Sequence, residues 1–179
     1  LRPLATGGMA ELYLALQKSV AGFEKLIVIK RILPSMNSDP AFIDMLLHEA
    51  RIAATLSHPN VVQIFDVGFA EGAFYIAMEH IHGEDLRSIV HQMKKLRMTE
   101  FPLEHALAIV VGMCAGLAYA HEKHGLDDEP LRIVHRDISP QNVIVTYSGD
   151  IKIVDFGIAK SGEGMGEDTK SGRLKGKVP

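Results

Sequence analysis

The first third of the chain alternates apolar residues with turn signals. Leu4, the Gly7-Gly8 pair and Leu12-Tyr13-Leu14 predict a strand, a tight loop and a strand. Leu26 to Leu33, rich in β-branched and aliphatic residues, predicts another strand. Pro34 ends it, because proline has no amide to give a ladder. Ser38-Asp39-Pro40 has the form of a capped helix start. Phe42, Met45, Leu46, Ile52, Ala53 and Leu56 follow at helical spacing, and His58-Pro59-Asn60 breaks the pattern. Val61 to Val67 and Phe74 to Ile81 predict two further strands, joined by a turn at Glu71-Gly72.

Beyond Gly83 the period becomes helical. Asp85 to Arg97 and Pro102 to His124 predict two helices, the second with Ala106, Ile109, Val110, Met113, Leu117 and Ala120 on one face. Ile133-Val134, Val143 to Val145 and Ile151 to Val154 predict short strands between polar loops. Ser161 to Gly172, rich in glycine, serine and acidic residues, has no apolar period. A strand-rich segment with one helix, then a helical segment with short strands, is an α+β pattern in two parts.

Composition narrows the class. An apolar fraction of 47% with 23% charged residues provides for a packed core and argues against disorder. A net charge of −3 lacks the basic excess that binding to nucleic acid or anionic membrane needs. Cys114 is alone, so an internal disulfide is excluded, and a reducing, cytoplasmic setting is the simpler expectation. The longest apolar run, Ala106 to Ala120, reads as a buried core helix too short to span a bilayer, so no membrane contact is expected within this segment. The chain starts at Leu1 without methionine and both ends look cut, which leaves open an anchor elsewhere in a parent protein.

Two charges stand among apolar neighbours. Lys30 shares a strand face with Val28 in an otherwise aliphatic run. Glu49 lies three or four residues from Met45, Leu46, Ile52 and Ala53, inside the helix stripe. Burying either charge alone is costly, so a Lys30–Glu49 ion pair is the simplest expectation. The plainer alternative has Lys30 reaching solvent and Glu49 at the edge of its stripe.

Downstream lie His135-Arg136-Asp137-Ile138-Ser139-Pro140-Gln141-Asn142 and Asp155-Phe156-Gly157. Taken with Lys30 and Glu49, in this order, these motifs resemble the eukaryotic-type protein kinase family. The run Gly7 to Ala15 looks much like bacterial serine/threonine kinases. The resemblance covers Leu4 to Pro179. It implies a bilobal α+β fold: a five-stranded antiparallel N-lobe sheet with one helix over 1–79, a hinge at 80–82, and a partial, mainly helical C-lobe over 83–179.

By the same resemblance, ATP and Mg²⁺ are the cofactors and the serine and threonine hydroxyls of proteins the acceptors. Lys30 would hold the α- and β-phosphates, Glu49 would orient Lys30, and Asp137 would accept or orient the acceptor's proton. Asn142 and Asp155 would bind Mg²⁺, which prefers hard oxygen ligands. The glycine-rich loop is matched in part: Leu4, Gly7 and Gly8 are in place, with Ala5 and Ala10 where the family has glycine and Leu12 where it has valine. Alanine there costs about 1–2 kcal/mol if a positive φ is required. Val28, Met78 as gatekeeper, the Glu79 carbonyl, the Ile81 amide and Ile144 would enclose adenine.

Ser139 stands where serine/threonine kinases usually carry lysine, which implies slower chemistry and removes a marker of acceptor type. Arg136 would pair with a phosphorylated activation segment, with Thr169 and Ser171 as candidate sites. Autophosphorylation through a kinase–kinase pairing fits that scheme; the protein substrate is unknown. His121 and His124 read as helix C-terminal residues rather than metal ligands. Pro179 falls before the family's Ala-Pro-Glu motif. The resemblance thus implies an incomplete domain with exposed apolar surface and little activity by itself. Two other readings remain beside it: a pseudokinase scaffold, favoured by Ala5, Ala10 and Ser139, and a small-molecule phosphotransferase. In isolation, Asp137 and Asp155 would read as turn caps.

Overall fold

The structure is a computed structural model that describes residues 1–20, 22–36, 40–98 and 100–156. The helix-cap pair Ser38-Asp39, Gly157, the segment Ser161 to Gly172 and the candidate phosphosites Thr169 and Ser171 lie outside the described residues.

Five strands form an antiparallel sheet in the order β1-β2-β3-β5-β4. They are β1 (Arg2–Thr6), β2 (Ala10–Lys18), β3 (Glu24–Ile32), β4 (Ile64–Ala70) and β5 (Ala73–Glu79). Helix α1 (Pro40–Ala54) begins at its proline, a residue suited to the first turn. It buries Ile43, Leu46, Ala50 and Ala53, which recur every three or four residues. That stripe is turned from the predicted one: Phe42 and Met45 are only half-buried. The stripe packs with Ile32, Ile64, Ile76 and Met78 of the sheet, and with Val62 of the loop before β4, into the N-lobe core.

The chain leaves the sheet through β6 (Gly83–Asp85), α2 (Leu86–Lys95), α3 (Leu103–His121), β7 (Val143–Thr146) and β8 (Ile151–Ile153). Strands β6, β7 and β8 make a second, three-stranded antiparallel sheet. The short β6 was not predicted. Gly83 pairs with Thr146, and a Cβ there would run into the Val145 carbonyl, so only glycine lets the strand approach. Asp85 then caps α2, accepting from the Ser88 amide at 2.9 Å and the Ser88 hydroxyl at 2.6 Å.

Three predictions fail in informative ways. Val61 and Val62 do not start β4. Instead the Val62 amide donates to the Ile153 carbonyl at 2.9 Å and the Ile153 amide to Asn60 at 2.9 Å, tying this loop to β8. Ile133-Val134 is not a strand: Ile133 is buried, Val134 is 55% exposed, and no ladder forms there. Helix α3 is not a buried core helix. Only Ile109, Gly116 and Ala120 are buried, while Leu103, Leu107, Val110 and Val111 are exposed. At 19 residues α3 is also long and apolar enough to cross a membrane by length and composition, contrary to the sequence reading.

What α3 does bury is specific. Its glycines face the loop after α1 and β8. A Cβ on Gly116 would sit 2.9 Å from the Asn60 carbonyl and 3.1 Å from Ile153 Cδ1, and one on Gly112 2.7 Å from Ile151 Cβ. The same loop is held by Tyr119, whose hydroxyl accepts from the Ser57 amide at 3.0 Å and whose ring stacks on His58 at 4.9 Å. Leu56, Val61, Ala120, Ile133, Ile153 and Phe156 close the core between the lobes.

Gly116→Ala should therefore destabilise the fold by about 1–3 kcal/mol through overpacking, although alanine is the better helix former by about 1 kcal/mol. Denaturant titration reads this directly, and an unchanged or raised midpoint would refute the tight contact.

Candidate active site between the lobes

Strand register decides which N-lobe residues share a face. Leu12 stands opposite Lys30 across β2–β3, and Val28 stands opposite both Leu14 and Met78. Opposed residues in antiparallel strands point to one side, so Leu12, Val28, Lys30 and Met78 line a single face. Ala5 opposes Leu12 and Ala10 opposes Ile32 on that face. Met78 is buried in the N-lobe core. Leu4 is 44% exposed at the edge. Ile81 packs at the rim of the same core, and Ile144 lies in β7 of the second sheet. The loop from Thr6 to Ala10 is closed by the Gly7 amide, which donates to the Ala10 carbonyl at 2.8 Å. None of Ala5, Gly7, Gly8 and Ala10 takes a positive φ. The steric cost expected for alanine at positions 5 and 10 therefore does not arise.

The C-lobe side is organised by His135, a residue the sequence reading left without a role. It is 2% exposed. Its Nε2 lies 3.0 Å from the Val154 carbonyl and its Nδ1 3.3 Å from the Asp137 amide. A carbonyl only accepts and an amide only donates, so Nε2 carries the proton and Nδ1 accepts. The ring also packs on Phe156, with centroids 4.7 Å apart. One side chain thus joins the Asp137 loop to the Asp155 segment. Its signal in the sequence is the spacing of two from buried Ile133, which puts a polar ring in line with the core.

That joint holds two strained residues. Arg136 has φ 61° and Asp155 φ 55°, left-handed values that cost a residue with a Cβ roughly 1–2 kcal/mol each. Asn142 ends the 3-10 turn Pro140–Asn142 and steadies the same loop. Its Nδ2 donates to the Asp137 carbonyl at 2.9 Å and reaches Asp137 Oδ2 at 3.5 Å, and its carbonyl accepts from the Val154 amide at 3.0 Å. Ser139 precedes this turn in extended conformation.

The expected Lys30–Glu49 pair is not formed. Lys30 Nζ instead lies 2.7 Å from Asp155 Oδ1, and Glu49 Oε1 lies 3.6 Å from Arg136. The demand that each charge find a partner is met, with different partners. The left-handed turn at residue 155 delivers a carboxylate to the sheet face, and the one at residue 136 delivers a guanidinium towards α1. Neither was foreseeable from the spacing within β3 and α1. A further pair was missed: Lys152 donates to Glu79 Oε2 at 2.8 Å, so the residue expected to present a carbonyl to adenine also anchors β8.

Burial lowers the pKa of His135 below its ordinary value; the Val154 carbonyl and the carboxylates of Asp137 and Asp155 oppose this. Below about pH 6.5 the unfolded chain then binds more protons than the folded one. This contribution to stability is complete above that pH and is lost as the pH falls towards the folded pKa. Denaturation midpoints measured from about pH 7.5 to 5.5 should fall more steeply for the protein than for His135→Gln. Equal slopes would show that the ring is not held neutral.

Comparison with known proteins agrees with this geometry. Residues 1–173 match the family model described as the protein kinase domain. The chain is 46% identical over 176 residues to a protein named tyrosine-protein kinase MasK from Myxococcus xanthus, covering 98% of this chain and 27% of MasK. It is 36% identical over 159 residues to the serine/threonine-protein kinase PrkC of Bacillus subtilis, covering 89% of this chain and 22% of PrkC. The solved kinase domain of Mycobacterium tuberculosis PknI superposes with a TM-score of 0.70 at 31% identity, over 89% of this chain and 58% of that one. The chain thus spans about a quarter of the length of those two relatives. With the sheet, the helix beneath it and the paired loops in the arrangement described, this chain belongs to the protein kinase domain family.

Proposed function

We propose that this chain is the nucleotide-binding and phosphoryl-transferring part of a protein kinase that acts on serine and threonine hydroxyls. The observation that carries the reading is the 2.7 Å approach of Lys30 to Asp155, which sets a strand cation of one lobe against a carboxylate of the other. Such a junction is suited to a polyanion accompanied by a cation.

The donor set fits Mg-ATP. Asn142 and Asp155 offer hard oxygens, and among the described residues no group of three His, Cys, Asp or Glu forms a metal cage. Magnesium commonly takes one or two protein oxygens and completes its shell with phosphate and water. When bound, Mg-ATP supplies the electrophilic phosphorus and neutralises the charge on its leaving group. Lys30 would hold the phosphates, and Leu12, Val28 and Met78 would cover the base. Asp137, positioned by Asn142 and by the His135 ring, would take the proton of the acceptor hydroxyl. Arg136 would turn to phosphate on Thr169 or Ser171. A phosphate dianion competes well for a guanidinium, and Glu49 would then be available to Lys30.

Tyrosine as acceptor is a second reading. Ser139 favours it, because the lysine typical of serine/threonine kinases is missing there, and the MasK relative is itself named a tyrosine kinase.

With the complete kinase domain and Mg-ATP, Asp137→Ala should cut phosphate incorporation by about 10²–10⁴-fold while nucleotide binding is kept. Incorporation untouched by that change would reject both readings. Phosphoamino acid analysis should find phosphoserine or phosphothreonine, mapped by mass spectrometry to the segment 161–171; phosphotyrosine alone would favour the second reading. Ser139→Lys should raise turnover, and no gain would show that its charge is not missed.

A further inference from the structure

Strands β3 and β5 have a second face. By alternation Lys25 and Glu79 point away from the side that carries Lys30 and Met78. On that rear side a cavity of 570 Å³ opens between the start of β3, the loop after α1, the chain leaving β5 and β8. Its volume lies in the range of ligand clefts, about 300–1,000 Å³, and far exceeds what one oxyanion fills.

The cavity's lining holds two ammonium groups, Lys25 and Lys152, against one carboxylate. Glu79 is its single carboxylate, and it already accepts from Lys152 at 2.8 Å and from the Gln63 amide at 3.2 Å. Lys25 has no carboxylate within reach among the described residues; its ammonium lies 3.6 Å over the Phe65 ring. The His80 ring and the Ser57 hydroxyl make no hydrogen bond to the described residues, and both line the cavity. Phe65, 38% exposed, contributes an aromatic wall.

We propose that this rear cleft is a docking site for an acidic peptide segment that carries an apolar residue. Its carboxylates meet Lys25, His80 and Ser57, and its apolar side chain packs against Phe65. Charge complementarity sets the sign of the ligand. The open shape and the aromatic wall select a peptide over a free anion. The site's lining includes none of Lys30, Glu49, Asp137, Asn142 and Asp155, and the proposal does not depend on the catalytic reading.

The test is fluorescence anisotropy with a labelled Glu-Glu-Leu-Glu-Glu peptide on the complete kinase domain. Saturable, salt-sensitive binding is expected, weakened at least about fivefold by Lys25→Glu and also reduced by His80→Ala. Lys95→Glu makes the same charge change on an exposed lysine of α2 outside the cavity and should leave binding within about twofold. Thermal denaturation checks that each variant is folded. Three results would overturn the proposal: no saturation, equal weakening by Lys25→Glu and Lys95→Glu, or displacement of the peptide by inorganic phosphate at equal concentration. The first two would leave only diffuse attraction, and the third would mark a small-anion site.

Discussion

An ammonium set among aliphatic side chains on a sheet face must meet an opposite charge or leave the face. Lys30 is 19% exposed and meets Asp155 at 2.7 Å. Most of the site's architecture follows from this. Asp155 reaches Lys30 only because its backbone takes φ 55°, and that conformation survives because the segments on either side are held. Val154 is bonded to Asn142 and His135, and Phe156 lies in the core between the lobes. The ion pair is thus the visible end of a chain of constraints running through a buried neutral imidazole.

The second constraint is how the lobes are joined. The loop after α1 is bonded to β8 through Asn60, Val62 and Ile153, and it lies against the glycines of α3. The N-lobe sheet connects to the C-lobe again through Gly83, whose missing Cβ allows β6 to lie on β7. With Lys152 bonded to Glu79, the strand leading to Asp155 is fastened to both connections. Asp155 is therefore placed by tertiary contacts on three sides, which is how a short strand of three residues can hold a strained residue just beyond its end.

Much of the fold was legible because it is written in local periods. β3 was predicted within two residues at its start, and α1 begins at the proline that marked it. Long apolar runs with clear turn residues declare themselves. The misses share a cause. Val61-Val62 and Ile133-Val134 have strand-like composition, yet whether a ladder forms depends on a partner that composition does not reveal. Gly83, by contrast, pairs in a strand that its own composition did not announce. For α3 the apolar count was right and the burial wrong, since the amount of a helix covered is set by what packs on it.

Read along the chain alone, the sequence established the residue types and their order: a lysine on a strand, a glutamate on a helix, and the His-Arg-Asp…Asn and Asp-Phe-Gly motifs that identify the family. It also determined that the two stray charges need partners, because the cost of an unpaired charge is the same in any fold. Which groups become those partners follows from the folding of the chain. Lys30 takes Asp155 and Glu49 takes Arg136, since which opposite charges come within reach depends on backbone turns and strand register over a separation of more than a hundred residues in the first pair. Periodicity is a local property of the chain, whereas proximity across a cleft is not.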